Sequence, residues 1–243
     1  MKKRKQGQVT LFIVIGIIIL LLIGLGLYYR TSLTKSFSNV ASIGLSDEEE
    51  ETRTVIQSCF DEALQTGLLL AAHQSGHVFL TSNYLILQGV FVPYAYDAGK
   101  NSAPNVQDTT KELQTFLNQE VTRCSKNTNA QFETAISSVR INNNEATARL
   151  TYPFIVTTNG KTVRNNSPYT TSADTELITY LTFMQAVVTS VAQNPQEIPI
   201  GLLLAQNNFE TNTITTSDSV LYTLRSLDTN QTYFFATRTG ETE

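Results

Sequence analysis

The chain has 243 residues, a net charge of -4 and only 16% charged side chains. Its polarity comes largely from Thr, Asn, Ser and Gln, and no basic cluster occurs beyond the N-terminus. That surface argues against binding a nucleic acid by phosphate neutralisation. Roughly 200 residues follow the N-terminal segment, enough for one sizeable core without help from a metal.

In chain order, the first feature is a basic tip, Lys2, Lys3, Arg4 and Lys5, followed by an apolar run from Val9 to Leu27. At 1.5 Å per residue this run spans a hydrocarbon core of roughly 30 Å. Arg30 and Lys35 are the only bases close behind it, so the positive-inside bias puts the N-terminus in the cytoplasm and the remainder outside. Tyr28 and Tyr29 fall where an interfacial aromatic belt belongs. A cleavable secretory signal fits less well, because the run is long and no small-x-small site follows it directly.

The expected organisation is a basic tip and transmembrane anchor over 1–30, a polar juxtamembrane spacer over 31–45, and an extracytoplasmic domain over 46–243. Ser46 with Asp47, Glu48 and Glu49 forms a helix start with a capping box. Val55, Ile56, Cys59, Phe60, Ala63, Leu64 and Leu68 continue it as an apolar stripe to about Gly76. Val78–Leu80 and Tyr84–Tyr96 read as extended, with a break at Gln88-Gly89, an irregular or edge position at Pro93, and the Tyr94 and Tyr96 rings on one side.

A second amphipathic helix is expected over Asp108–Cys124. Strands follow at Ala135–Ile141 and Glu145–Thr157 around an Asn142-Asn143-Asn144 turn, and Asn159-Gly160 is a strong hairpin signal. Asp174–Gln193 reads as a core helix stopped at Asn194-Pro195. Val220–Arg225 and Thr232–Arg238 read as strands joined at Asp228-Thr229-Asn230. The class is α+β, with amphipathic helices packed on antiparallel hairpins.

Residues that carry chemistry are few. Cys59 and Cys124 are the only cysteines, and their separation disfavours zinc. Two readings stay open: a disulfide, adding on the order of 4 kcal/mol across so long a loop, or two buried thiols on apolar helix faces. His73 and His77 have the i, i+4 spacing of a metal clamp, but Gly76 intervenes and no third ligand is near in sequence. Ser32-Leu33-Thr34-Lys35 matches the S-x-x-K of serine acyl enzymes without its companion motifs. Asn165 and Asn230 head N-glycosylation acceptor triplets in expected turns. No catalytic, metal or cofactor site is assigned.

The segment Lys5-Gln6-Gly7-Gln8-Val9-Thr10-Leu11 resembles archaeal prepilin-like signals, which implies processing between Gly7 and Gln8. That family carries a Glu at the fifth mature position, where this chain has Phe12. Taken with Gln57-Ser58-Cys59-Phe60-Asp61-Glu62, Val92-Pro93-Tyr94-Ala95-Tyr96 and Tyr233-Phe234-Phe235-Ala236, the chain resembles uncharacterised single-span envelope proteins of small-genome archaea. The resemblance implies an anchored, surface-facing domain and brings no activity or cofactor. The expected function is a structural or interaction protein of the cell envelope, touching the lipid bilayer and either envelope partners or other copies of itself. The alternatives are a pilin-like filament or secretion-system subunit, and a surface-anchored hydrolase or acyltransferase.

Overall fold

The computed structural model describes residues 47–87, 89–158, 160–195, 197–205 and 207–240. The expected anchor, the Gly7–Gln8 junction, the Ser46 cap and the Ser32/Lys35 pair lie outside the described residues. Among the described residues, no helix is long and apolar enough to cross a membrane. The chain divides into compact units at Glu50 and Glu51. Apart from the first turn of the first helix, everything below belongs to the second unit.

That unit is mixed α+β. The long helix α1 (Asp47–His73) opens with four carboxylates, Asp47 to Glu50, which suit the positive end of its dipole. Its stripe of Ile56, Phe60, Leu64 and Leu68 is buried. The hairpin β1 (Tyr84–Leu87) and β2 (Val90–Asp97) follows, then the short β3 (Lys100–Asn101). Helix α2 (Val106–Ser125) begins two residues before the expected start because Asn105 caps it. The Asn105 side chain accepts the Gln107 and Asp108 amides, and Asp108 returns a bond to complete the box. Leu113, Leu117 and Val121 are buried along this helix.

Helices α1 and α2 are held together in two places. Gly67 lets them approach closely, since a Cβ there would lie 2.8 Å from Leu113 Cδ2. Cys59 and Cys124 form a disulfide with their Cα atoms 6.4 Å apart. Of the two readings open from sequence, the structure shows the bridge.

Next come β4 (Gln131–Phe132), β5 (Ile136–Ile141), β6 (Glu145–Thr151), β7 (Phe154–Thr158), β8 (Lys161–Asn165) and β9 (Tyr169–Asp174). They form two three-stranded antiparallel sheets, β5-β6-β9 and β4-β7-β8. In each, the central strand comes from the same stretch of chain, so the two are halves of one ribbon. Pro153 and Pro168 stand at its break, where neither can donate to a ladder. The continuous strand expected over Glu145–Thr157 is therefore two strands.

Helix α3 (Leu177–Gln193) starts later than expected, because Asp174 still pairs with Glu145 in β9. A short helix α4 (Ile200–Leu204) leads to β10 (Phe209–Thr215), β11 (Ser219–Ser226) and β12 (Thr232–Arg238). The largest sheet has the order β1-β2-β12-β11-β10, with β3 on β2. All its pairings are antiparallel except β2 with β12. Helix α3 packs on that parallel pair, and the core between contains Tyr180, Met184, Tyr222, Leu224, Tyr233 and Phe235. The Tyr222 and Phe235 rings stack at 4.5 Å, and Tyr180 and Tyr233 at 4.7 Å.

The segment expected to be a strand at Val78–Leu80 is irregular instead. It follows a tight turn in which Ser75 and Gly76 both have positive φ, 53° and 85°. The Gly76 amide reaches back to Ala71 O at 2.8 Å, a Schellman-type closure of α1. Ser75 occupies the left-handed position usually given to Gly, and its groups leave the helix altogether. Its N–H donates to Phe234 O on β12, and its Oγ donates to Pro93 O on β2. The turn thus wedges between the two parallel strands. Pro93 is tolerated there because that side of β2 has no ladder amide to supply.

Tyr94 and Tyr96 do not share a side. The β2–β12 register shifts between Ala236 and Thr237, leaving Ala95 as an extra residue on β2. Tyr94 joins a small cluster with Val92, Leu221 and Ala236, whereas Tyr96 enters the main core.

Gly76 can be replaced only at a large cost. A Cβ would sit 2.5 Å from Leu181 Cδ2 and 2.8 Å from Pro104 Cγ. Left-handed strain and overpacking together predict a loss of about 2–4 kcal/mol for Gly76→Ala in urea unfolding. Gly89→Ala, at φ 84° with open space around it, should lose only about 1–2 kcal/mol from the backbone strain.

Candidate functional site

Polar groups converge at one end of the largest sheet. A cleft of about 190 Å³ opens between the α3–α4 connection, the β10–β11 turn and the end of β12. Hydroxyls line it from Thr215, Thr216, Ser217, Ser219, Thr237 and Thr239, with carboxylates from Glu197 and Asp218. Tyr222 and the buried Thr237 form its inner wall. Burial raises the Tyr222 hydroxyl, moderated by the Thr237 hydroxyl, so Tyr222 stands there as a neutral phenol.

Behind the cleft runs a directed chain of hydrogen bonds. Ser219 Oγ donates to Asp218 Oδ1 at 2.9 Å, so the Tyr94 hydroxyl, 3.1 Å from Ser219 Oγ, donates to the serine. The Arg238 guanidinium lies 4.7 Å over the Tyr94 ring and pairs with Asp97 at 2.7 Å. The Thr216 amide and hydroxyl both bond Ser219 O, which fixes the turn. Such a wall offers acceptors to a small polar ligand. Its lining contains neither His nor Cys.

The residues singled out from sequence are not gathered there. His73 packs edge-on against Phe234 at 5.2 Å, and burial lowers its imidazole. His77 turns to a different partner, with Nδ1 3.0 Å from Glu112 Oε1 and Nε2 3.3 Å from Ser102 O. Among the described residues, no group of three His, Cys, Asp or Glu could hold a metal. Asn165 is the last residue of β8 rather than part of a turn. It is buried, with Oδ1 accepting the Ser167 amide, and a glycan there would need the side chain released. Asn230 is exposed in the β11–β12 turn, and its Oδ1 accepts from Arg225 Nε. A smaller recess of about 170 Å³ beside the disulfide is lined by Glu62, Thr66, Glu120 and Arg123.

The cleft escaped sequence reading because its parts come from separate segments. The one available signal was the hydroxyl run Thr215-Thr216-Ser217-Asp218-Ser219. No family model, no curated protein and no solved structure matches the chain.

Glu112 makes the segment after α1 pH-sensitive. Burial alone would raise its carboxyl, but bonds from His77 and from the Val78 and Phe79 amides, with the His77 charge, bring it below 4.5. A depressed folded value means that Glu112 contributes stability above about pH 4.5 and loses it as pH falls through the folded value. Urea midpoints for the wild type and Glu112→Gln should differ at neutral pH and converge in acid. His73, lowered from 6.5, adds a loss of stability that begins earlier, as pH falls through 6.5, and both proteins share it.

Proposed function

We propose that this is a single-pass protein of the cell envelope. On this reading the N-terminus is cytoplasmic, Val9–Leu27 crosses the bilayer, and the α+β domain stands outside as a structural or interaction component. The Cys59–Cys124 bridge carries the proposal, because a structural disulfide belongs to an oxidising, extracytoplasmic compartment. The resemblance to single-span envelope proteins of small-genome archaea supports the same placement.

An interaction role is favoured over catalysis by how the reactive side chains are used. Ser75 Oγ holds Pro93, and His77 with Glu112 straps the segment after α1 to α2. Each is committed to the fold. A second reading, a pilin-like filament subunit, draws on Lys5-Gln6-Gly7-Gln8, with Phe12 standing where that family has its Glu.

In native membranes, denatured without reduction, neither cysteine should react with a maleimide, and two should react per chain after reduction. Protease added to intact cells should digest the domain. Free thiols or a protected domain would sink the proposal. Intact mass separates the two readings, since loss of Met1–Gly7 belongs to the filament subunit and a chain retaining them to a plain anchor. Replacing both cysteines by Ser should cost about 4 kcal/mol, from the loop of 65 residues that the bridge closes.

A further inference from the structure

Before Asp97 the only ionisable side chains among the described residues of the β1–β2 hairpin are the phenols of Tyr84, Tyr94 and Tyr96. From Val78 to Tyr96 the chain contains no acidic or basic residue at all. Near its turn at Gly89, Ile86 is 59% exposed and Phe91 is 43% exposed on one face, while Val90 is 39% exposed on the other. Phe79 and Leu80, just before the hairpin, are exposed as well.

Two features distinguish this end from an ordinary docking face. Its apolar groups lie on both faces of the ribbon, whereas a protein partner covers one. β1 is also an edge strand without the Lys, Pro or inward charge that ordinarily guards such an edge. Ser75 bonds both β2 and β12 at Pro93 and Phe234, and among the described residues the ladder from Tyr84 to Pro93 runs between β1 and β2 alone. Beyond the wedge Val92 and Leu85 still pack against Leu221 and Ala236, and the exposed apolar groups are those nearest the turn, Ile86, Val90 and Phe91.

We infer that the tip of this hairpin inserts shallowly into the lipid bilayer, at the boundary between headgroups and acyl chains. A medium that surrounds the tip suits a ribbon apolar on both faces. The open edge of β1 limits the depth, because unpaired amides and carbonyls are costly in hydrocarbon. The inference rests on the proposed anchor. The spacer of residues 31–45 sets a reach of about 50 Å when fully extended, enough for the domain to return to the membrane.

The chain has no tryptophan, so a single introduced indole reports on its own site. Four single-Trp variants of the full chain, Phe12→Trp, Phe91→Trp, Ile86→Trp and Leu227→Trp, are reconstituted into phosphatidylcholine vesicles with or without brominated acyl chains. The expected result is blue-shifted emission that loses its larger part to bromine for Phe12→Trp, Phe91→Trp and Ile86→Trp. Leu227→Trp, in the exposed β11–β12 turn, should emit as in water and stay unquenched.

Quenching of Phe12→Trp without either hairpin variant would overturn the inference and leave the anchor standing. If Phe12→Trp itself is unquenched, the anchor reading falls and takes the inference with it. A hairpin signal that is blue-shifted, insensitive to bromine and dependent on protein concentration would mean that a second copy covers the tip, which overturns lipid contact. Equal quenching of Leu227→Trp would mean indiscriminate adsorption and would overturn it too.

Discussion

The carbonyl oxygen of Phe234 receives two donors that would otherwise be stranded in the core. One is the Ser75 amide at 3.1 Å, and the other is the Tyr180 hydroxyl at 2.7 Å. Through this atom the end of α1, the first turn of α3 and strand β12 meet. Burial first, then the neighbouring Tyr233, pushes the Tyr180 hydroxyl well above its usual range, which keeps it a neutral donor. Ser75 accepts a left-handed backbone, a cost of roughly 1–2 kcal/mol for a residue with a Cβ. Its two bonds into β2 and β12 offset that cost, and they determine where the parallel pair ends and where the hairpin leaves the sheet.

Much of this architecture was legible locally. The stripes of α1 and α2 follow a helical period, and Leu113, Leu117 and Val121 are buried as that period requires. The turn at Asp228-Thr229-Asn230 has the Asn in a left-handed conformation, as its residue type suggests. Other elements gave a weak signal. Strands β8 and β10, Lys161–Asn165 and Phe209–Thr215, are mostly polar and exposed, so alternation in hydrophobicity says little about them. The split of β6 from β7 was visible in Pro153, but an unbroken apolar run concealed it.

The remaining misreadings share one cause, a backbone irregularity that changes which way a side chain faces. One extra residue at Ala95 moves Tyr96 from the side of Tyr94 into the core. The turn at Ser75–Gly76 interrupts the path between His73 and His77, so a spacing of four residues places them on different partners. The hydroxyl cleft escaped for a related reason, since its walls meet only when the α3–α4 connection reaches the β10–β11 turn at the start of β11. Local periodicity cannot anticipate such meetings, because they depend on contacts distant in sequence.

The disulfide has a mechanical meaning apart from its effect on folding. Tension applied between the two ends of the domain enters through α1 and reaches Cys59 after little more than three turns. There a covalent link carries it directly to Cys124. The chain between them, which includes β1, β2, β3 and most of α2, is bypassed by the covalent path. Under such tension the chain between the two cysteines cannot be drawn out until the bridge is reduced.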